Sequence, residues 1–272
     1  MEYKIGEVSN ILNIPVETLR YYEKKHIVQP KKSIKNRYRY YDAWEINYLI
    51  ECKKFRSYDF SLPEVKEILH HNNLNDFIDK IDERQNYFEE QLNYYKLLKQ
   101  KNEEYIQSLK QIKRNLWKCT LTPHPEIYYF IHRYNYTYKT KNEFGDLIDR
   151  WLEFFPFVEN LIEIQDNALL NRNNTNDHGW GFSIKKEYAD ALKIPLNEKV
   201  KHVARSESIY TIICAGDKGS FSLKLLDHAL TFIKEHDYKL SGTVTGNLLA
   251  RVHEQNGYNR YIEVWLPVTK SS

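Results

Sequence analysis

Two groups of residues have types and spacings that suggest chemistry. From Ile14 to Tyr41 the chain places Arg20, Lys24, Lys25, Lys31, Lys32, Lys35, Arg37 and Arg39 against Glu17 and Glu23, a local excess of six positive charges. The whole chain has a net charge of only +3, so the signal lies in the concentration. Basic side chains interleaved with Tyr21, Tyr22 and Tyr38 suit a polyanion, because Arg, Lys and tyrosine hydroxyls all donate to phosphate oxygens. The second group is the tail Tyr258-Asn-Arg-Tyr-Ile-Glu-Val-Trp-Leu-Pro-Val. As a strand it puts Tyr261, Glu263 and Trp265 on one face and Ile262, Val264 and Leu266 on the other. A carboxylate between two rings suits an organic cation, with Glu supplying charge and the rings supplying π faces. The alternative is a structural ion pair with Arg251 or Arg260.

The elements that must position these groups differ in style along the chain. Apart from Gly6, every glycine stands at or beyond Gly145, and the stretch Glu64 to Thr122 contains neither glycine nor proline. Within it Ile78, Ile81, Gln85, Phe88, Leu92, Tyr95, Lys99, Asn102, Ile106, Leu109, Lys113 and Leu116 recur at three- and four-residue steps. That spacing predicts a heptad seam on one helix, from about Asp76 to Lys118 and roughly 60 Å long, with the same helix of a second copy as its partner. Its other faces are rich in Lys, Glu, Asn and Gln and suit water.

Ahead of the helix, Ile5, Val8, Ile11 and Leu12 form one apolar face of a short helix that Asn13 ends. Pro15 then suits the first turn of a second helix, Val16 to Lys24. Two short helices joined by a tight turn describe a helix-turn-helix. KKSIKNRYRYYD follows as a wing, with short strands near residues 28–30 and 38–40. Asp42 caps a helix to about Phe55, and Ser61-Leu62-Pro63-Glu64 starts another.

Tyr3 to Leu69 resembles the DNA-binding domain of the MerR family of transcriptional regulators, on the residues IGEVSNILNI, VETLRYYEKKHIVQP, RYRYYD and FSLPEVKEIL. The resemblance implies that Val16, Glu17 and Thr18 begin a recognition helix in the major groove. It implies that Arg20, Tyr21 and Tyr22 contact DNA at and beside that groove, and that Tyr38 and Arg39 grip phosphates from the wing. Lys4 and Lys35 add phosphate contacts on charge alone. The long helix is then an antiparallel dimerisation coiled coil.

After Pro123 and Pro125 the sequence turns aromatic and β-rich. Ile127 to Tyr138 and Trp180 to Lys185 read as strands and Glu143 to Phe155 as a helix. Lys199 to Cys214 read as strands, Ser220 to His236 as a helix, and Gly242 to His253 and Tyr258 to Pro267 as strands. This order predicts a duplicated strand-helix-strand unit whose two sheets meet about a pseudo-twofold axis. It resembles the GyrI-like effector-binding domain found behind MerR-type readers in multidrug-responsive regulators, on the closing EVWLPV and the Tyr238 to Gly246 turn. The resemblance implies a pocket with Glu263 at its base. Strand parity and chemistry offer Tyr134, Tyr136, Trp180, Tyr210, Tyr261 and Trp265 as walls.

The expected fold is therefore α+β: a winged helix-turn-helix over 1–74, a dimerisation helix over 75–120 and a GyrI-like domain over 121–272. Cys52, Cys119 and Cys214 are far apart and form no CxxC pair, which argues against a disulfide framework and a local zinc site. No metal or other cofactor is expected. With no apolar run near 18 residues and no leader in the first residues, a cytoplasmic protein without membrane contact is expected. The expected function is a homodimeric, ligand-responsive regulator that binds double-stranded promoter DNA and acts on RNA polymerase indirectly, an activator by bending and untwisting the promoter. Its small organic ligand would be a lipophilic cation. The alternatives are a DNA-binding regulator whose second domain binds a protein or a neutral ligand, or a GyrI-like hydrolase fused to a DNA reader. No nucleophile–base–orienter trio is evident, so an enzyme is not expected.

Overall fold

The computed structural model describes residues 2–33, 38–135, 137–139, 146–171, 178–216, 221–255 and 257–271. The chain divides into two compact units, 1–93 and 94–272.

The first unit contains β1 (Tyr3–Lys4), α1 (Ile5–Leu12), α2 (Val16–Lys24), β2 (Lys31–Lys32), β3 (Arg39–Tyr41), α3 (Ala43–Ser57), α4 (Leu62–His70) and the beginning of α5 (Leu74–Asn115). Asn13 closes α1 in the left-handed region at φ 51°, a conformation Asn tolerates better than most residues. Asp42 and Ser61 each accept a hydrogen bond from the backbone N–H three residues on, at Glu45 and Glu64, and each of those glutamates answers back to the capping residue's N–H. These reciprocal caps set where α3 and α4 begin. The first wing strand lies at Lys31–Lys32 and not at 28–30, because Val28 and Pro30 are buried and Pro30 has no N–H for a ladder. The three strands pair in the order β1-β3-β2. Val8, Leu19, Ile27, Tyr41, Leu49, Cys52, Phe55, Phe60 and Val65 make the core, with Phe77 of α5 packed against it. Arg84 of α5 pairs with Glu64 at 3.1 Å and lies over the Phe60 ring at 4.2 Å.

The second unit begins with the remainder of α5. Its strands are β4 (Thr120–Pro123), β5 (Ile127–Tyr134), β6 (Thr137–Tyr138), β7 (Glu159–Ile164), β8 (Gly179–Lys185), β9 (Lys201–Val203), β10 (Glu207–Ala215), β11 (Tyr238–Leu240), β12 (Val244–Glu254) and β13 (Gly257–Lys270). One antiparallel sheet runs β4-β10-β13-β12-β7-β8-β5-β6, with β9 beside β5. The two halves fuse edge to edge where β12 pairs with β7, so the duplicated units share one sheet. Sequence alternation misses β7, because Leu161 to Ile164 are all buried and both faces are covered. The helix expected over Ser220 to His236 is a 3-10 turn, Leu223–Leu226, followed by Asp227–Glu235. Of the helix expected from Glu143, Leu147–Leu152 is helical and 143–145 lie outside the described residues.

The sheet buries one face beneath helices: Ile162, Ile164, Ile209, Ile213, Ile262, Val264 and Leu266 pack with Leu226, Ala229 and Ile233. The opposite face receives α5, where Ile112 and Leu116 meet Ile212 and Leu249. The helix stops there. Trp117 takes a left-handed conformation and donates its N–H to the Ile212 carbonyl at 2.8 Å.

Gly181 leaves no room for a side chain. It faces the irregularity in β5 between Ile131 and Arg133, and a Cβ on it would stand 1.8 Å from the Phe130 carbonyl oxygen. Gly181→Ala is expected to cost about 3 kcal/mol in urea denaturation; a loss within experimental error would show that β5 and β8 separate freely.

Candidate nucleic-acid interface and ligand cavity

In the first unit α2 turns Leu19 into the core and leaves Glu17, Arg20 and Tyr21 exposed, with Val16 and Thr18 half-buried. Arg20 donates to Glu17 at 2.7 Å. Tyr22 behaves differently from its neighbours. It packs against the core, where burial and the adjacent Cys52 raise its phenol pKa. That position removes it from the exposed set, because two successive residues on a helix point about 100° apart. Tyr38 is exposed on the wing and Lys4 is exposed at the start of α1, whereas Lys35 lies outside the described residues.

Glu23 organises this surface. It pairs with Arg39 of β3 and with Lys32 of β2, the latter at 2.7 Å. Burial works against its charge, yet the hydrogen bonds from Lys32 and Arg39 hold its carboxyl below the usual range. Counted along the sequence, Glu23 only reduces the local positive charge. In three dimensions it ties both wing strands to the end of α2.

In the second unit a cavity of about 630 Å³ lies between α5 and the sheet. Tyr210, Glu263 and Trp265 line it, as strand parity predicts, with Tyr105, Leu249, Lys101, Glu104, Glu159 and Lys185. Hydroxyl and amide groups from Ser108, Gln111, Asn115, Thr120, Thr122 and Asn247 make up much of the remaining wall. The other expected wall residues are elsewhere. Trp180 is buried on the helix-covered face with Ile162, Ile164 and Phe221, because it sits one residue out of phase with the cavity-facing positions of β8. Tyr134 donates to Glu163 at 3.5 Å, outside the cavity lining. Tyr261 shares the face of Glu263 but turns its hydroxyl to Glu254 at 2.9 Å. Tyr136 lies outside the described residues.

The charges in the cavity are arranged unequally. Glu159 accepts from Lys101, which is 6% exposed, and from Asn247 at 3.0 Å. Glu104 accepts from Lys185 at 2.6 Å and Tyr188 at 2.8 Å. Burial opposes its charge, but hydrogen bonds from Lys185, Gln100 and Tyr188 hold its carboxyl below the usual range. Glu263 has one hydrogen bond, from Tyr210 at 3.2 Å, and no ion pair with Arg251, Arg260 or any other described residue. Enclosure by protein and the nearby Glu159 charge push its carboxyl up to about 8, against the weaker pull of Tyr210, Lys185 and Lys101. Burial and the Glu263 charge raise the Tyr210 phenol far above its ordinary value, so it stays a donor. The rings of Tyr210 and Trp265 stand 5.3 Å apart beside this carboxyl.

Lys101, Glu104, Glu159, Lys185 and Asn247 are the functional candidates that the sequence conceals. Among the described residues no group of three His, Cys, Asp or Glu is placed to hold a metal ion, and no helix is long and apolar enough to cross a membrane.

Residues 3–72 match the family described as MerR HTH family regulatory protein, and this N-terminal segment is a MerR-type helix-turn-helix. The HTH-type transcriptional regulator ZntR homolog of Haemophilus influenzae is 34% identical over 70 residues, 26% of this chain and 52% of that protein. The chain thus spans about half the length of the curated relative it matches. Among solved structures, the EcmrR–DNA complex in EcmrR-RPo is 15% identical, covering 98% of this chain and 100% of that one at a TM-score of 0.39. A hydrolase from Listeria innocua is 11% identical, covering 60% and 98% at a TM-score of 0.36.

The raised Glu263 carboxyl makes folding pH-dependent. Its folded value lies above the unfolded one, so its favourable contribution is complete below about pH 4.5 and is lost as pH rises through about 8. Glu263→Gln is expected to be more stable than wild type by roughly 2 kcal/mol near pH 9, with the difference closing toward pH 5. Thermal melts across that range check this; a pH-independent difference would contradict it.

Proposed function

We propose that this chain is a homodimeric, ligand-responsive DNA-binding transcription regulator with three functional parts: a DNA reader over 1–74, a dimerising helix over 75–120 and a GyrI-like effector-binding domain over 121–272. The observation that carries the DNA reading is the surface at Glu23. There α2 leaves Arg20 and Tyr21 exposed while Glu23 ties wing residues Lys32 and Arg39 to the same helix end. A helix in the major groove flanked by a phosphate-gripping wing is how such a surface engages a duplex. The MerR match over 3–72 supports this reading.

Dimerisation is supported by the seam. Ile78, Phe88, Leu92, Tyr95, Ile106 and Leu109 are exposed in the single chain, Leu92 by 55%. A stripe of this kind on a helix needs a partner, and an identical helix presents the same stripe. Two reading helices on one dimer then call for a pseudo-palindromic site.

The effector reading rests on Glu263, an acid without an internal cation in a cavity large enough for a small organic molecule. The polar wall argues for a cation that also hydrogen-bonds, in place of a purely lipophilic one. α5 supplies Phe77 to the first core and Lys101, Glu104 and Tyr105 to the cavity. It is therefore the element through which occupancy biases the reader. A ligand shifts the dimer only by binding one arrangement better than another. On DNA this would act as activation, by bending and untwisting the promoter spacer between elements read by RNA polymerase.

Arg39→Ala is expected to weaken binding to duplex DNA about tenfold and to lower the slope of log affinity against log salt by about one. Mobility-shift or anisotropy titrations at several salt concentrations measure both; unchanged affinity and slope would remove the wing from the interface.

A further inference from the structure

We propose that the ligand of the Glu263 cavity is a protonated primary or secondary amine carrying further polar groups, with ammonium N–H groups donating directly to the Glu263 carboxylate. The proposal rests on the cavity being an effector site and names the chemistry of its occupant.

The warrant is a pattern repeated around α5 and the sheet face beneath it. Glu104 accepts one hydrogen bond from a tyrosine hydroxyl, Tyr188 at 2.8 Å, and one from an ammonium, Lys185 at 2.6 Å. Glu163 lies on the same sheet face as Glu263, because it stands opposite Thr245 while Glu263 stands opposite Asn247, two residues along β12. It accepts from Tyr129 at 2.8 Å and from Lys201 at 2.6 Å. Glu159 accepts from the Asn247 amide and the Lys101 ammonium. Glu263 has the corresponding neutral donor, Tyr210 at 3.2 Å, and lacks the ammonium. Tyr129 and Tyr210 also occupy matching strands of the two halves, β5 beside β8 and β10 beside β13.

An ionised carboxylate accepts at about four lone-pair positions, and Tyr210 fills one. A quaternary ammonium, or any other cation without N–H groups, neutralises Glu263 but leaves its other acceptors unbonded in a half-buried site, which is costly. An alkylammonium supplies charge and donors together, as Lys185 and Lys201 do for their partners. Lys101 and Lys185 are paired with Glu159 and Glu104, and Arg114, the third base of the lining, forms no ion pair with Glu263, so the Glu263 carboxyl is open to a cation from the ligand. Asn247, Thr120, Thr122 and Ser108 give the rest of such a molecule hydrogen-bonding partners.

The test is a matched series titrated calorimetrically into the full chain: tyramine, its N,N,N-trimethyl derivative and uncharged 4-ethylphenol, against wild type and Glu263→Gln. Tyramine is expected to bind wild type at least about tenfold more tightly than the trimethyl compound, and Glu263→Gln to erase that preference. Equal or reversed affinities of the two cations, both weakened in Glu263→Gln, would overturn the ammonium proposal while leaving the cavity a cation site. If Glu263→Gln binds both cations as wild type does, or if none of the three compounds binds, the proposal and the effector reading fail together.

Discussion

A half-buried acid with one neutral donor and no cation of its own is costly to fold around. Glu263 is such a group, and the cavity is organised about it. Tyr210 and Trp265 flank it, Asn247 faces it across β12, and α5 closes the other side with Lys101, Glu104 and Tyr105. The neighbouring acids are each paired with a lysine, whereas Glu263 is paired with no base. A carboxyl with no cation of its own leaves binding free energy for a partner that supplies one.

The first unit solves its electrostatics in the opposite way. There an acid, Glu23, is placed among bases so that two of them, Lys32 and Arg39, are held in position. Its negative charge subtracts from attraction to a polyanion, yet it fixes the wing relative to α2. Order in the contact surface reduces the conformational entropy lost on binding. Both units thus use a glutamate to position or await positive charge, and α5 is the element common to them.

Much of this arrangement was legible in the sequence. The alternation in Tyr258 to Pro267 placed Glu263 and Trp265 on one face and Ile262, Val264 and Leu266 on the other, as the structure has them. The caps at Asp42 and Ser61 and the limits of α2 were equally readable, because each depends on local hydrogen bonding. Trp180 was misplaced because aromatic character was weighed above strand phase, and the packing of Tyr22 against the core was hidden because a motif does not say which side of a helix a ring occupies. Lys101 and Glu104 read as part of a solvated helix face. Their partners, Glu159 and Lys185, lie 58 and 81 residues away in sequence, a separation that no local pattern encodes. The polar wall was concealed for the same reason, since Ser, Thr, Asn and Gln on a helix or strand ordinarily face water.

The central claim is that Glu263, whose carboxyl is pushed up to about 8, gives up a proton to an incoming cation. Calorimetric titration of tyramine near pH 7, in buffers of different ionisation enthalpy, measures proton exchange on binding directly. The account predicts release of close to one proton per cation bound, falling to none above about pH 9 and absent in Glu263→Gln. Binding that is tight at pH 7, carries no proton release and is unaltered by Glu263→Gln would contradict it.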